Sequence, residues 1–505
     1  VSGSAVKLKS AFIPPPTDGL NLIAPPSQLK ETEARTLDNY WVFDSGIRQM
    51  PEFTQSITYT GAGSSVNLLN SYDTLLLYAV QNKIFKLSSA TSGSPTDITG
   101  AATITANTWN SCIFNKKIFL FNGVDNPLYH DFGAGNVTAF SATGPTVAAL
   151  KQGAGYKSRL YAVEIDTTKV WYGAVGAFSG TFTSFDIGDV LSLGSSTLLC
   201  VFPWSYNQGL QTEELFCMLT SRGELLIYSG DNPGAANWQL ISKSIIPFPG
   251  GYETSRSGQP FCRVGNEVYV TTERGVIPLS SIVAGVPVTD ANYAISKKIK
   301  NEIANDGNCG AVDRVYPFIY FRDAMSFQSL YIMNYERGAW SRYTPTLPTV
   351  NSLAQLITGV RFFGDYLMIA TGEPNGLAGS LGYVNLSGGS ASTLTYRWKS
   401  RFTNFGTSTK KTVKLLRVHG LNYGASSTFK NTASVSADFV DPSSPLTDTR
   451  TTSVAADTLT VQELRPPGTG HWLSPVLSRV GVDSISERNE IQGCEIFYED
   501  GGGTY

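Results

Sequence analysis

Between about residue 74 and residue 386 the chain repeats one unit, an apolar strand, a short polar turn and another apolar strand. The units are Thr74–Ser89, Cys112–Phe132, Arg159–Val175, Glu214–Gly230, Glu267–Ser281, Pro317–Tyr343 and Gly359–Leu386. Their starts lie roughly 40–55 residues apart, the period of propeller blades. One such hairpin cannot bury both of its faces, so a chain built from them must close them into a ring. The fold expected is therefore all-β, a β-propeller of about six or seven blades over residues 61–386, with glycine supplying positive φ at Asn122-Gly123, Arg222-Gly223 and Arg274-Gly275. Such a ring is a scaffold and declares no chemistry by itself.

The flanks read differently. Residues 1–60 hold Pro14–Pro16 and Pro25-Pro26, which favour extended chain. This segment is expected to be an extended arm, lying across a neighbouring subunit or linking into the first domain. A short helix follows, capped by Ser27, with Ala34, Leu37 and Trp41 at helical spacing and Gly46 ending it. Residues 387–505 space their strands with long Ser/Thr-rich segments and predict a second, sandwich-like β domain. That domain is a candidate to be completed by residues 1–60. A helix is also expected within the array, with Asp290 as cap, Ile295, Ile299 and Ile303 as its apolar stripe, and Gly307 at its end.

Charged residues make up only 15% of the chain, against about 25% in ordinary soluble domains. Small polar and aromatic residues fill the difference, which suits a subunit packed against others more than a solvated monomer. A net charge of −2 gives no sign of a dedicated nucleic-acid binder and permits a conduit along which DNA slides without being held. The six cysteines show no metal-ligand or disulfide spacing and read as free thiols folded in a reducing compartment. No secretory leader and no apolar run of spanning length is visible.

Catalytic patterns are absent. The three histidines, His130, His419 and His471, stand far apart in unrelated surroundings. Ser184-Phe185-Asp186-Ile187-Gly188 matches the first half of the box found in sialidase-type propellers, but the Thr-Trp half is missing and the box is a turn. Glycoside cleavage needs two carboxylates across a cleft, and the adjacent Glu213 and Glu214 point to opposite faces of a strand. A basic strip stands out at Arg397, Lys399 and Arg401, which alternate with Tyr396, Trp398 and Phe402. Aromatics and cations then occupy opposite faces, whereas single-stranded nucleic acid needs them on one. The strip is expected to meet water or an acidic neighbouring subunit.

Three stretches, taken in order, resemble the tail tubular protein B or tail nozzle family of short-tailed bacteriophages. The first is Pro25-Pro26 followed by Leu37-Asp38-Asn39-Tyr40-Trp41, Gly46 and Arg48. The second runs from Arg159-Leu160-Tyr161 through Trp171-Tyr172-Gly173 to Phe202-Pro203-Trp204. The third is Thr220–Pro233, containing Gly223 and Tyr228, with Trp238 after it. The family's glycine two residues after the arginine is replaced here by Met50. The resemblance implies a non-enzymatic virion structural protein without cofactor or metal, made in the host cytoplasm and placed in the phage tail. It implies a ring homo-oligomer, expected to be a hexamer, beneath a tail adaptor protein and bearing tail fibres or spikes. That ring would retain packaged double-stranded DNA and conduct it during ejection. The alternative from the propeller class is a carbohydrate-binding or carbohydrate-cleaving receptor component.

Overall fold

In the computed structural model each apolar–turn–apolar unit is an antiparallel hairpin whose strands stand in sequence order within one sheet. The structure describes residues 8–72, 75–91, 94–207, 212–246, 260–285, 294–303, 316–323, 326–350, 353–386, 392–423, 427–441, 446–454, 458–482 and 488–501. Four four-stranded sheets follow one another over Asn67–Asp97, Asn110–Ala139, Leu150–Asp186 and Leu198–Ile245, and a three-stranded sheet spans Phe261–Pro278. A further four-stranded sheet is built from Leu356–Phe363, Tyr366–Gly372 and Ala378–Asn385 and is finished by Phe53–Thr60 from the far end of the chain. These six sheets are self-contained blades of a β-propeller. Because each lies between two others, its strands bury both faces: every residue of Leu75–Val80 is buried.

Turn chemistry explains the tight hairpins. Gly123, Gly223 and Gly275 adopt φ of +69°, +84° and +113°. Other hairpins turn on non-glycine pairs, Gln81-Asn82, Asn115-Lys116 and Lys157-Ser158, with both φ values positive. That is the type I′ conformation, one of those whose twist suits a two-residue hairpin, here adopted without glycine.

Between the three-stranded blade and the last one, Phe318–Arg322, Leu330–Asn334 and Ala339–Tyr343 form the inner part of an eight-stranded sheet. The sheet continues outward through Thr36–Asp38, Ser392–Lys399, Leu473–Val482, Ser427–Ala437 and Asp448–Val454. Facing its outer strands is a seven-stranded sheet built on two long strands, Lys410–Tyr423 and Arg488–Gly501. Leu459–Leu464 flanks the first of these, and Leu8–Ile13 and Ile47–Gln49 flank the second. Tyr396, Trp398, Leu477, Leu416, Val418 and Ile496 fill the space between the sheets and join one buried cluster with Phe318, Tyr331 and Trp340. Blade and sandwich therefore share a core.

Three expectations are corrected. The helix around Ala34, Leu37 and Trp41 is instead three short strands, Glu33–Ala34, Thr36–Asp38 and Tyr40–Val42. The apolar residues are buried as expected of a core face, but their main chain pairs with distant strands: Asp38 sits opposite both Arg342 and Arg397. Tertiary pairing has overridden local periodicity. The stripe Ile295, Ile299 and Ile303 spans a 3-10 turn, Lys297–Ile299, and a single helical turn, Lys300–Ile303. Asp290 and Gly307, its proposed ends, lie outside the described residues, as does Cys309. The propeller's first strand is Phe53–Thr60, earlier than residue 61; Leu8–Ile13, Thr36–Asp38, Tyr40–Val42 and Ile47–Gln49 join the sheets of the second domain, while Gly19–Leu20 and Glu33–Ala34 pair with each other. None of the five cysteines among the described residues is in a disulfide, and burial pushes the thiols of Cys112, Cys200, Cys262 and Cys494 up to about 12.

Candidate functional site

The ten positions singled out from the ordered motifs turn out to tie elements together. Asn39 adopts φ of +64°. Its side chain donates to the Thr395 carbonyl at 2.8 Å and accepts from the Thr344 N–H at 2.7 Å. One residue thus joins the leading segment, the shared sheet and the second domain. Gly46 is required by close approach, because a Cβ there would lie 2.3 Å from the Ile491 carbonyl oxygen. Arg48 pairs with the fully buried Glu490 at 2.7 Å and lies over the Phe43 ring at 4.1 Å.

Within the third and fourth blades, Arg159 donates to the Gly173 carbonyl at 2.8 Å. Trp171 donates to Glu164 at 3.0 Å. Tyr161 is buried against Phe216, ring centroids 4.4 Å apart. Gly223 makes the hairpin turn. Tyr228 stacks on Trp238 at 5.1 Å, and Pro233 stands half-buried in the turn between them. Arg159, Trp171 and Tyr228 brace their own blades, and Tyr161 packs across to the next.

The basic strip does not present three solvated cations. Lys399 is buried and pairs with Asp441 at 2.5 Å, with its ammonium 5.0 Å from the Phe402 ring centre. Burial alone would push the Asp441 carboxyl up, but Lys399 and the Ser436 hydroxyl hold it below the usual range. Arg401 pairs with Glu31, and Arg397 lies half-buried opposite Asp38 in the sheet. The physical reason is simple: a strand buried on both sides needs its cations matched by carboxylates, and here the same chain supplies them.

The histidines stay apart. His130 holds its own hairpin end, with Nε2 3.1 Å from the Gly135 carbonyl and Nδ1 accepting from the Phe132 N–H at 3.1 Å. Burial pushes its imidazole below the ordinary value, against the pull of Gly135 and Asp131. The unfolded chain therefore binds the proton first on acidification. The stability this site contributes is complete above about pH 6.5 and is lost as pH falls toward the folded value. A His130→Gln variant is expected to flatten that part of a melting-temperature profile measured from about pH 7 to pH 5. Asp186 accepts from the Thr168 hydroxyl and the Gly188 N–H, so the half box is a capped turn. Among the described residues no group of three or more His, Cys, Asp or Glu side chains could hold a metal ion. No helix among them is long and apolar enough to cross a membrane.

Two surface features of the second domain stand out among the described residues. The outer face of the seven-stranded sheet exposes Leu8 (49%), Phe12 (57%), Leu459 (73%) and Val461 (52%). Arg417 lies over Phe497 at 4.7 Å and pairs with Glu463 at 2.9 Å on the same face. Beside it, a cavity of about 510 Å³ lies between the strand Leu8–Ile13 and the segment 401–406. Phe12, Phe402, Phe405, Trp472 and Tyr498 supply its aromatic lining, and Arg401 and Glu31 its charge. Sequence reasoning missed this cavity because its walls lie almost 400 residues apart in the chain.

No family model and no curated protein matches the chain. Solved structures do resemble it. A streptogramin B lyase structure aligns with a TM-score of 0.41 at 12% identity, over 66% of this chain and 97% of that one. The WD40 propeller domain of Doa1 aligns with a TM-score of 0.40 at 9% identity, over 66% and 97%. YCF48 from Cyanidioschyzon merolae gives 0.35 at 13% identity, over 66% and 98%. At these identities the likeness is one of fold alone: the chain is similar to β-propeller proteins.

Proposed function

We propose that the chain is a structural subunit of a short-tailed phage tail, a nozzle component that assembles into a ring of six copies. In this reading the ring sits below a tail adaptor, carries fibres or spikes, holds packaged double-stranded DNA back and conducts it on ejection. It performs no catalysis. The observation that carries the reading is the eight-stranded sheet, in which Thr36–Asp38 bridges a propeller position (Arg342 opposite Asp38) and the sandwich strand Ser392–Lys399 over one shared core. Two rigid bodies joined by a continuous hydrogen-bonded sheet resist hinging, as a tube wall under the pressure of packaged DNA must. Further support comes from Leu8, Phe12, Leu459 and Val461, exposed on one sheet face beside the Arg417–Glu463 pair, the mixture of apolar and paired charged groups that a subunit interface covers. The near-zero net charge suits a lumen that must release DNA.

The test is imaging and sedimentation of the purified chain, alone and mixed with the adaptor of the same particle. A sixfold ring in either preparation is the expected result. A chain that remains monomeric with the adaptor present, and is missing from purified particles by mass spectrometry, overturns the reading.

A further inference from the structure

The strand Leu8–Ile13 pairs with Arg488–Gly501 along one edge, residue for residue from Leu8 opposite Glu499 to Ile13 opposite Cys494. Among the described residues it has no partner along the other edge. The cavity described above lies against that open edge. Five successive residues, Ser10 to Pro14, line it. Successive side chains of a strand point to opposite faces, so a cavity touched by all of them reaches the edge, and Tyr498 of the paired strand carries it on under the inner face.

The far wall is closed to main-chain pairing. The Phe402 N–H donates to the Pro26 carbonyl at 3.1 Å, and Thr403 exchanges hydrogen bonds with Leu473 at 2.9 and 3.0 Å. The Phe405 and Gly406 N–H groups are taken by the Thr403 and Asn404 side chains, both at 3.1 Å. That wall offers rings instead. Phe405 stacks on Tyr498 at 4.7 Å, and Phe402, Phe439 and Trp472 form a row with centroids 4.8 and 5.5 Å apart.

Open edges are ordinarily guarded by an outward lysine. Here Lys9 is drawn away to Asp500 at 2.6 Å, and the residues that follow, Ser10 and Ala11, are small enough to admit a neighbouring backbone. Pro14, which has no N–H to donate, limits the edge to six residues.

We propose that this edge is a docking site for an extended polypeptide segment of a partner chain, which adds to the seven-stranded sheet as a further strand. The unpaired N–H and C=O groups recur every second residue, a spacing of about 6.8 Å that another extended main chain matches in both donors and acceptors. Side chains of the added strand that point toward the aromatic row find Phe402, Phe405 and Trp472. Those pointing outward meet Phe12 and Leu8, covering apolar surface now in water.

The experiment uses the isolated full chain and acetyl-Thr-Val-Thr-Val-Thr-amide as probe, with hydrogen exchange of the amides of residues 8–13 as readout. Alternate amides are expected to slow by about tenfold or more at saturating peptide. The same peptide with N-methyl groups on alternate residues, which keeps the side chains and removes the donors, is expected to give no protection. Trp472→Ala is expected to weaken binding several-fold. If the edge amides are not protected, or if the N-methylated peptide or maltohexaose protects them equally, the proposal is overturned, the last outcome marking a glycan site. Because the test needs no assembly, its failure and the failure of the ring reading are separate results.

Discussion

Replacing Arg48 by alanine is expected to lower the unfolding free energy by about 3–5 kcal/mol, the cost of leaving a buried charge without its partner. Glu490 has no exposed side-chain surface, and its carboxylate receives the Arg48 guanidinium at 2.7 Å. The two residues stand opposite each other in adjacent strands, so the register of Ile47–Gln49 on Arg488–Gly501 places the charges together. The other Glu490 oxygen is buried without a hydrogen-bond partner, so among the described residues the carboxylate leans on Arg48 for its charge pairing. The arginine in turn is packed over Phe43, and losing it removes that contact as well.

The comparison that isolates the charge is Arg48→Ala with Glu490→Gln. Removing the carboxylate's charge in the Arg48→Ala background is expected to recover much of the loss. Arg48→Lys, which keeps the charge but not the planar fork, should cost less than alanine. Urea unfolding followed by tryptophan fluorescence and by far-ultraviolet circular dichroism measures the cycle. Equal losses for Arg48→Ala alone and for the double variant with Glu490→Gln would show that packing on Phe43, and not the buried charge, sets the effect.

The propeller class is legible in the sequence because each blade is local: its strands are consecutive, its turns are short, and both faces read apolar, as in Leu75–Val80. What is not legible is pairing at a distance. Leu37 and Trp41 read as core and are core. Yet helical spacing and three short core strands place the same residues inward, and only the partners Arg342 and Arg397 distinguish them. A residue such as Asn39, whose positive φ separates two of those strands, gives a turn signal that the helical reading passes over. The two-residue turns at Gln81-Asn82 and Lys157-Ser158 carry no glycine at all, so sequence places their hairpins through the flanking strands only.

The surface is less legible still. Alternation places Arg397, Lys399 and Arg401 on one side, but the sign of their surroundings depends on Asp441 and Glu31, and Glu31 lies 370 residues from the arginine it pairs with. A charge run read without its partners looks like a contact strip; with them it is part of the second domain's internal packing. The cavity beside Leu8–Ile13 depends on the same kind of meeting, between the chain's first described strand and a segment near residue 400.

That dependence sets up the largest effect expected. A chain starting at residue 61 should fail to reach the native state, whereas a full chain cut after folding between Gly61 and Gly63 should hold together. Phe53–Thr60 is the fourth strand of the last blade, hydrogen-bonded to Ala378–Asn385 across Thr60 opposite Ala378 to Phe53 opposite Val384. Its loss opens a sheet edge and uncovers the apolar face beneath. Truncation also removes Leu37, Tyr40, Trp41, Ile47 and Met50, all at most 5% exposed. Each such side chain contributes about 1.5–3 kcal/mol when fully buried, and together they rival or exceed the net stability of about 5–15 kcal/mol typical of a folded protein. The cut chain loses none of these contacts, because Gly61 and Gly63 lie in a loop whose flanks are anchored: the Gly61 N–H donates to Leu377, and Gly63 accepts from Gln81. A protease site inserted at residue 62 tests both halves. Cleaved protein is expected to elute as one species and to release residues 1–61 only in denaturant, while the separately expressed 61–505 chain is expected in the insoluble fraction. If that truncated chain is soluble and melts cooperatively near the full-length temperature, the blades close without the N-terminal strand and the two ends of the chain are only loosely joined.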